Sequence, residues 1–451
     1  MKWLLPAAAL AVMAVATAPA ADWRIPTTVK KLPNGLTVVV SEDHSSPVFG
    51  LAVVYRVGFR LEPRGRTGFA HLFEHMMFEG TPQAAKGVYD RVVQGGGGVD
   101  NGSTRFDYTD YVVTAPVSAL EPILWLEADR MRGLDLSAES LANQRNVVKE
   151  EIRDNVTNRP YGLFYWTDLA ALAFDRWENA HDGYGSFADL DAATVEDLRA
   201  FHRTYYAPNN AVLAIAGDVD ATEVFTLVGK HFADIAAQPL PPAPEIAERP
   251  NSQARKLVQS DAFAEVPAVA VAWKIPDPTS PDWAAAAVLG EILAAGEASR
   301  LYQRLVRDEE LLLELQGGLG WPLGDLITIN GPALLVLFGV VKPPAAAAAV
   351  PVAIQIEVDG IAHHGVPATE LERTKTKMLS DFYSGLEPLI ERADLLAIRQ
   401  AFTGDASSIN RVPDQVLAVR AADVRRVART LLSETNRATI ERRPAQERGQ
   451  P

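Results

Sequence analysis

The chain has 451 residues, 48% apolar and 22% charged, enough for two or more domains with complete cores. A net charge of −14 with no basic stripe argues against a nucleic-acid binder. The absence of cysteine rules out disulfides and thiolate ligands, so any metal must be held by histidine and carboxylate.

The first residues read as a targeting segment. Lys2 gives a positive start, residues 4–16 form an apolar run too short to span a bilayer, and Ala18-Pro19-Ala20 has the form of a signal-peptidase site. Residues 1–21 are therefore expected to be a signal peptide, and the mature chain a soluble periplasmic protein without a membrane span; an uncleaved N-terminal anchor is the alternative. Leu32-Pro33-Asn34-Gly35 marks a hairpin turn, followed by strands over 36–40 and 48–57.

After a loop rich in Gly, Pro and Arg, the spacing predicts a helix over 68–78. It contains His71-Leu72-Phe73-Glu74-His75. Two histidines four apart lie on one helical face with Glu74 beside them, the inverted zinc-peptidase pattern H-x-x-E-H, in which the Glu is the general base. Phe69, Leu72, Phe73, Met76 and Met77 cover most of the remaining circumference, so this helix is expected to be buried. Burying three ionisable groups together is costly unless a divalent cation pairs with them.

Further helices are predicted over 84–94, 117–132 and 138–155, with paired strands over 99–105 and 108–115. Catalytic zinc takes three protein ligands and one open position. Glu150-Glu151 offers the third. On the wheel Leu141, Val148 and Ile152 cluster within about 40°, with Glu151 about 70° from their centre and Glu150 nearly opposite. Glu151 is the expected ligand. A strand over 212–216 and a helix over 221–231 follow.

Residues 238–250 contain five prolines and read as an interdomain linker. Beyond it the order restarts, with a strand over 268–273, an apolar helix over 283–295 and its continuation over 299–307. The expected organisation is a metal-binding domain over 22–237, the linker, a related domain without metal over 251–440, and a disordered tail over 441–451. At the corresponding helix the second domain has Val288-Leu289-Gly290-Glu291-Ile292 in place of H-x-x-E-H. Of the other histidines, His44, His202 and His231 stand alone, His363-His364 reads as a solvated loop, and His181 has no assigned role.

The run from Gly68 to Thr81 resembles the zinc-site signature of the M16 metallopeptidases, which include pitrilysin, insulin-degrading enzyme and the mitochondrial processing peptidases. The resemblance extends to Asn101-Gly102-Ser103-Thr104, to Val147 through Ile152, to Tyr206 through Ala211 and to Gly217-Asp218-Val219. It implies an α+β fold of two related domains, each a mostly antiparallel sheet packed by helices, together enclosing a chamber. It implies a zinc-dependent endopeptidase acting on peptides or unfolded polypeptides, with Zn2+ on His71, His75 and Glu151 and Glu74 as base. Asn101, Gly102, Ser103 and Thr104 are the expected edge strand to which an extended substrate adds.

Two departures from the family pattern matter. A Glu common seven residues before the third ligand is here Gln144, which can hydrogen-bond a ligand but cannot act as a base. An Arg/Tyr pair used by active members is here Val306 and Leu313, neither a donor. The chain is therefore expected to be the zinc-bearing subunit of a heterodimer with a homologue that lacks the zinc motif and supplies that pair. A homodimer stays open. The alternative function is a non-catalytic assembly or peptide-binding subunit that retains the metal site.

Overall fold

A computed structural model describes residues 23–344 and 346–445. The proposed leader over 1–21 and the last six residues lie outside that range. Two sheets organise the chain. The first contains β1 (Thr28–Lys31), β2 (Thr37–Glu42), β3 (Val48–Tyr55), β4 (Val99–Thr104), β5 (Thr109–Pro116) and β6 (Ala211–Gly217), in the order β1-β2-β6-β3-β5-β4. The second contains β7 (Arg255–Asp261), β8 (Ala268–Ile275), β9 (Leu312–Leu319), β10 (Ala333–Val341) and β11 (Arg437–Pro444), in the order β7-β11-β8-β10-β9.

The second sheet repeats the first without β1. In each, one parallel pair (β2 with β6, β7 with β11) is followed by antiparallel neighbours ending on an edge strand, β4 or β9. The central strands β3, β6, β8 and β10 are buried along almost their whole length. Continuous apolar runs of this kind need cover on both faces.

That cover is exchanged between the halves. Leu396, Ala397 and Ala393 of the Leu389–Thr403 helix pack on Val39, Ala52, Val54 and Val212 of the first sheet. Reciprocally, Phe164, Leu169 and Ala170 of the Phe164–Ala173 helix pack on Ala270, Val336, Phe338 and Ile440 of the second. Residues 238–250, between the two sheets, carry no helix or strand. Glu248 within them accepts from the backbone of Asp175 and Arg176 and from the buried Lys274.

Several elements differ from the sequence reading. Over 441–444 the expected tail is instead the end of β11, where Arg442 is held by Gln259 and Asp168. His363 and His364 are the last turn of the Ala349–His364 helix rather than a loop. The helix expected from 84 begins at Val88, behind Gly87, and the expected continuation over 299–307 is a separate helix, wound as a π-helix over Tyr302–Asp308. None of the described helices is long and apolar enough to cross a membrane.

Candidate metal centre

The H-x-x-E-H segment lies on the Phe69–Met76 helix, between β3 and β4. Phe69, Leu72, Phe73 and Met76 are buried in the first core, which leaves His71, Glu74 and His75 on the remaining face. Glu151 comes from the last turn of the Ala138–Ile152 helix, which Leu141, Val148 and Ile152 anchor in the same core. Its neighbour Glu150 is exposed and pairs with Arg153.

The donor atoms converge. His71 Nε2 and His75 Nε2 are 3.3 Å apart, and Glu151 Oε2 lies 3.6 Å from the first and 3.5 Å from the second. A tetrahedral ion with ligand bonds of roughly 2.0–2.1 Å needs donors separated by roughly 3.3 Å. Glu74 also has an oxygen within 4.8 Å of both histidines. Its Oε2, however, accepts a 2.7 Å hydrogen bond from Thr104 Oγ1, and Glu151 stands closer to both rings. The donor set therefore fits a tetrahedral divalent ion on two nitrogens and one carboxylate, with Glu74 beside it.

Electrostatics distinguish the four groups. Burial, aided by the neighbouring His75, pushes His71 down to about 4 against the pull of Glu151. Burial also lowers His75, but bonds to Glu151 and Gln144 and the charge of Glu74 outweigh it, and the net shift is upward. Burial raises Glu74 to about 7, with Thr104 opposing. Burial raises Glu151, yet its bond to His75 and both imidazole charges bring it below the ordinary carboxylate range. His71 Nδ1 is buried and has no hydrogen-bond partner.

The other residues singled out in the sequence fall into place around this cluster. Gln144 reaches His75 and donates through its amide to the buried Glu79. The four strand residues lie on β4, at the sheet edge, where β5 is the only described strand partner. Gly102 and Thr104 face Glu74: a Cβ at Gly102 would sit 3.2 Å from Glu74 Cγ, so a side chain there would press Glu74 aside by a few tenths of an ångström. Ser103 turns the other way and donates to Asp110, and Asn101 is exposed. Val306 packs against the second core and Leu313 is 52% exposed; neither lines the cleft.

The cleft itself has a volume of about 210 Å³ and is bounded by Phe59, Trp166, Tyr184 and, from the second half, Leu323. The loop bearing Leu323 is tied to the first half by Arg60, which is 4% exposed and binds both Asp107 and the Pro332 carbonyl. Sequence reasoning missed Thr104 as a partner of Glu74. It also missed Tyr184, whose hydroxyl accepts from Asn155 at 3.1 Å and lies beside Glu151. The signal available for Tyr184 was its place between two glycines, Gly183 and Gly185.

Comparison with known proteins gives the chain a family. Residues 37–164 match the family model described as insulinase (peptidase family M16), and residues 192–378 match that of the M16 peptidase inactive domain. Zinc protease PqqE of Helicobacter pylori is 28% identical over 417 residues, 92% of this chain and 92% of that protein. The crystal structure of a protease from Helicobacter pylori superposes with a TM-score of 0.87 at 27% identity, covering 94% of this chain and 100% of that one. The periplasmic protease PqqL from Escherichia coli shares the fold at 17% identity and a TM-score of 0.71, over 94% of this chain and 48% of that one. With two models of one family falling on its successive halves, and a solved relative that superposes across both sheets, the chain belongs to the M16 peptidase family.

Proposed function

We propose that the protein is a zinc-dependent endopeptidase acting on peptides or unfolded polypeptides. The observation that carries this is the convergence of His71 Nε2, His75 Nε2 and Glu151 Oε2 at 3.3–3.6 Å from one another, with a carboxylate beside them. The name of the Helicobacter pylori relative, a zinc protease, supports the choice of metal.

In this reading His71, His75 and Glu151 hold the ion. Bound zinc supplies Lewis acidity, acidifying a water and polarising the scissile carbonyl. Glu74 takes the water's proton at Oε1, the oxygen left free by Thr104, and gives it to the departing amine. Gln144, beside His75 and held by Glu79, keeps that ring in place. The open edge of β4 receives an extended substrate by backbone pairing, with Gly102 letting it run close over Glu74.

The chain works with a partner in this proposal. Val306 and Leu313 cannot donate hydrogen bonds to a developing oxyanion, so a homologous subunit without the zinc motif provides those donors. Residues 1–21 direct export, and the periplasm is the proposed compartment.

The test is hydrolysis of a fluorogenic peptide by the chain alone at high dilution and by the chain mixed with such a homologue, each with and without chelator. The expected result is weak cleavage alone, strong cleavage in the mixture, loss with chelator and recovery on adding zinc. Strong activity alone at high dilution would rule out the partner. Stoichiometric zinc with no cleavage in either arrangement would favour a binding subunit.

A further inference from the structure

His181 has two ring nitrogens and two carbonyl oxygens to meet. Nδ1 lies 2.7 Å from the Trp177 carbonyl, and Nε2 lies 2.6 Å from the Phe59 carbonyl. The residue is 8% exposed, and its ring stacks on the Trp177 indole at 4.5 Å and 10°. A carbonyl oxygen only accepts, and a neutral imidazole carries a single N–H. Either neutral tautomer would set a nitrogen lone pair against an oxygen lone pair in a site closed to water. Only the doubly protonated ring satisfies both contacts.

The countercharge is Glu62, 3% exposed, with Oε2 3.4 Å from His181 Nε2. Both oxygens of Glu62 also accept backbone amides: Gly68 N at 3.0 Å and Ala70 N at 2.8 Å. These amides open the helix that carries the H-x-x-E-H motif, and His71 is the next residue. That helix starts at Gly68, at φ 77°, where the residue has no side chain to cap it. Glu62 therefore does the capping from six residues upstream, and its charge sits at the positive end of the helix dipole.

The loop and the helix start are also packed backbone on backbone. A Cβ at Gly68 would fall 2.2 Å from the Tyr184 carbonyl oxygen, and one at Gly185 would fall 2.2 Å from Thr67 C. Through Tyr184 the same loop reaches Glu151. The charged or titratable groups that face the ring are Glu62, from the Phe59–Leu61 turn and its cap, and the adjacent Asp182; Arg64 stacks on the Trp177 indole.

We propose that His181 is an imidazolium at neutral pH and forms with Glu62 a buried ion pair that positions the helix bearing His71 and His75. It is a positioning residue: it touches no ligand atom and acts through the helix amides. Burial holds Glu62 above the ordinary carboxylate range, against His181 and the two amides, while the balance at His181 itself favours the proton. Burial lowers His181, but the bond to Glu62, its charge and the two carbonyls outweigh it, so the ring holds its proton above the ordinary range. The consequence for metal affinity rests on the function proposed above; the charge state does not.

Two measurements test this. In the metal-free chain, long-range proton–nitrogen correlation spectra should show protons on both ring nitrogens of His181 through pH 8, with the resonance assigned by its loss in H181Q. A single-proton tautomer at pH 7 would overturn the ion pair. Should H181Q not fold, E62Q removes the countercharge while keeping an acceptor for one amide, and is expected to lower the pH at which His181 gives up its second proton, the two carbonyls remaining in place; an unchanged titration of His181 in E62Q would overturn the pairing. In the second measurement, H181Q is expected to weaken zinc binding about 10- to 100-fold by chelator competition, and H202Q by less than about threefold. His202 is the control because its ring bonds the Arg130 carbonyl and packs on Phe73 of the same helix, away from the helix start. Equal losses in the two variants would overturn the positioning role. A wild-type chain that takes up no zinc would refute the proposed function and leave the spectra to decide the ion pair.

Discussion

Two helices hold equivalent places in the two halves and have opposite contents. Phe69–Met76 connects β3 to β4, and Trp283–Ala294 connects β8 to β9, at matching positions of matching sheets. In the second, Ala285, Ala286, Ala287, Val288, Leu289, Gly290, Ile292 and Leu293 are all buried, and the one charged residue, Glu291, reaches outward to Lys377. In the first, three ionisable residues face inward. The difference lies in what surrounds each helix. Around the first stand Glu151, Thr104 and Gln144, and Glu62 receives its opening amides. An enclosed charge is tolerated where partners are built for it, and elsewhere apolar packing replaces it. One half is equipped for chemistry, and the other completes the cleft with Leu323.

The sharpest break of that contrast is E74Q. It preserves the shape of the polar face and removes the proposed base. Turnover is expected to fall by about 10²- to 10⁴-fold, the range for a general acid–base group, with zinc content unchanged by elemental analysis. Wild-type turnover in E74Q would remove Glu74 from the reaction. Next is the pair E151A and E150A. Loss of Glu151 takes one of three donors and should reduce zinc affinity by more than about 100-fold, beyond what an outer partner contributes. Glu150 points to solvent toward Arg153, so its loss should leave affinity unaltered. The reverse result in a chelator titration would exchange their roles.

How far the sequence foretells this contrast depends on the range of each interaction. The histidine face of the first helix and the choice of Glu151 over Glu150 follow from helical periodicity, which is local, and the structure brings Glu151 to both rings. Absence of H-x-x-E-H from the second helix is equally legible. Contacts between distant segments are not. Thr104 meets Glu74 across thirty positions, His181 reaches Glu62 from a loop without period, and Leu323 arrives from the other half. The exchange of covering helices is hidden for a related reason. An apolar stripe says that Phe164–Ala173 or Leu389–Thr403 is buried, and says nothing of which sheet it covers. The tail expected from 441 fails similarly, because Arg442 and Arg443 look solvated until Gln259, Asp168 and Glu441 are seen beside them.

A smaller effect is expected from G102A, which tests the closeness of β4 to the polar face. The added methyl would sit 3.2 Å from Glu74 Cγ and 3.4 Å from Oε1. Glu74 must yield by a few tenths of an ångström. A loss of about tenfold in kcat with zinc retained is the expected size for a slight misplacement of a reacting group. Unchanged kcat would show that Glu74 has room to spare.

The smallest effect probes the rule where a partner is missing. Asp394, on the Leu389–Thr403 helix, has a buried Oδ1 with no hydrogen-bond partner, and it feels the charge of Asp110 on β5. Burial first, then Asp110 and Glu391, raise Asp394 well above the ordinary carboxylate value, against Arg105; burial raises Asp110 to about 6. Raised acids favour the folded state while they are neutral in it. Their contribution is complete below the unfolded value near 4 and is eroded as pH climbs through the folded values. D394N removes one titration and the repulsion it exerts on the other. Its thermal midpoint should exceed that of wild type above pH 6, by a gain on the order of 1 kcal/mol, and the advantage should vanish near pH 4. A midpoint equal to or below wild type at pH 8 would mean that Asp394 has a partner that keeps it near the ordinary carboxylate range, and that this helix docks on the first sheet without an electrostatic penalty.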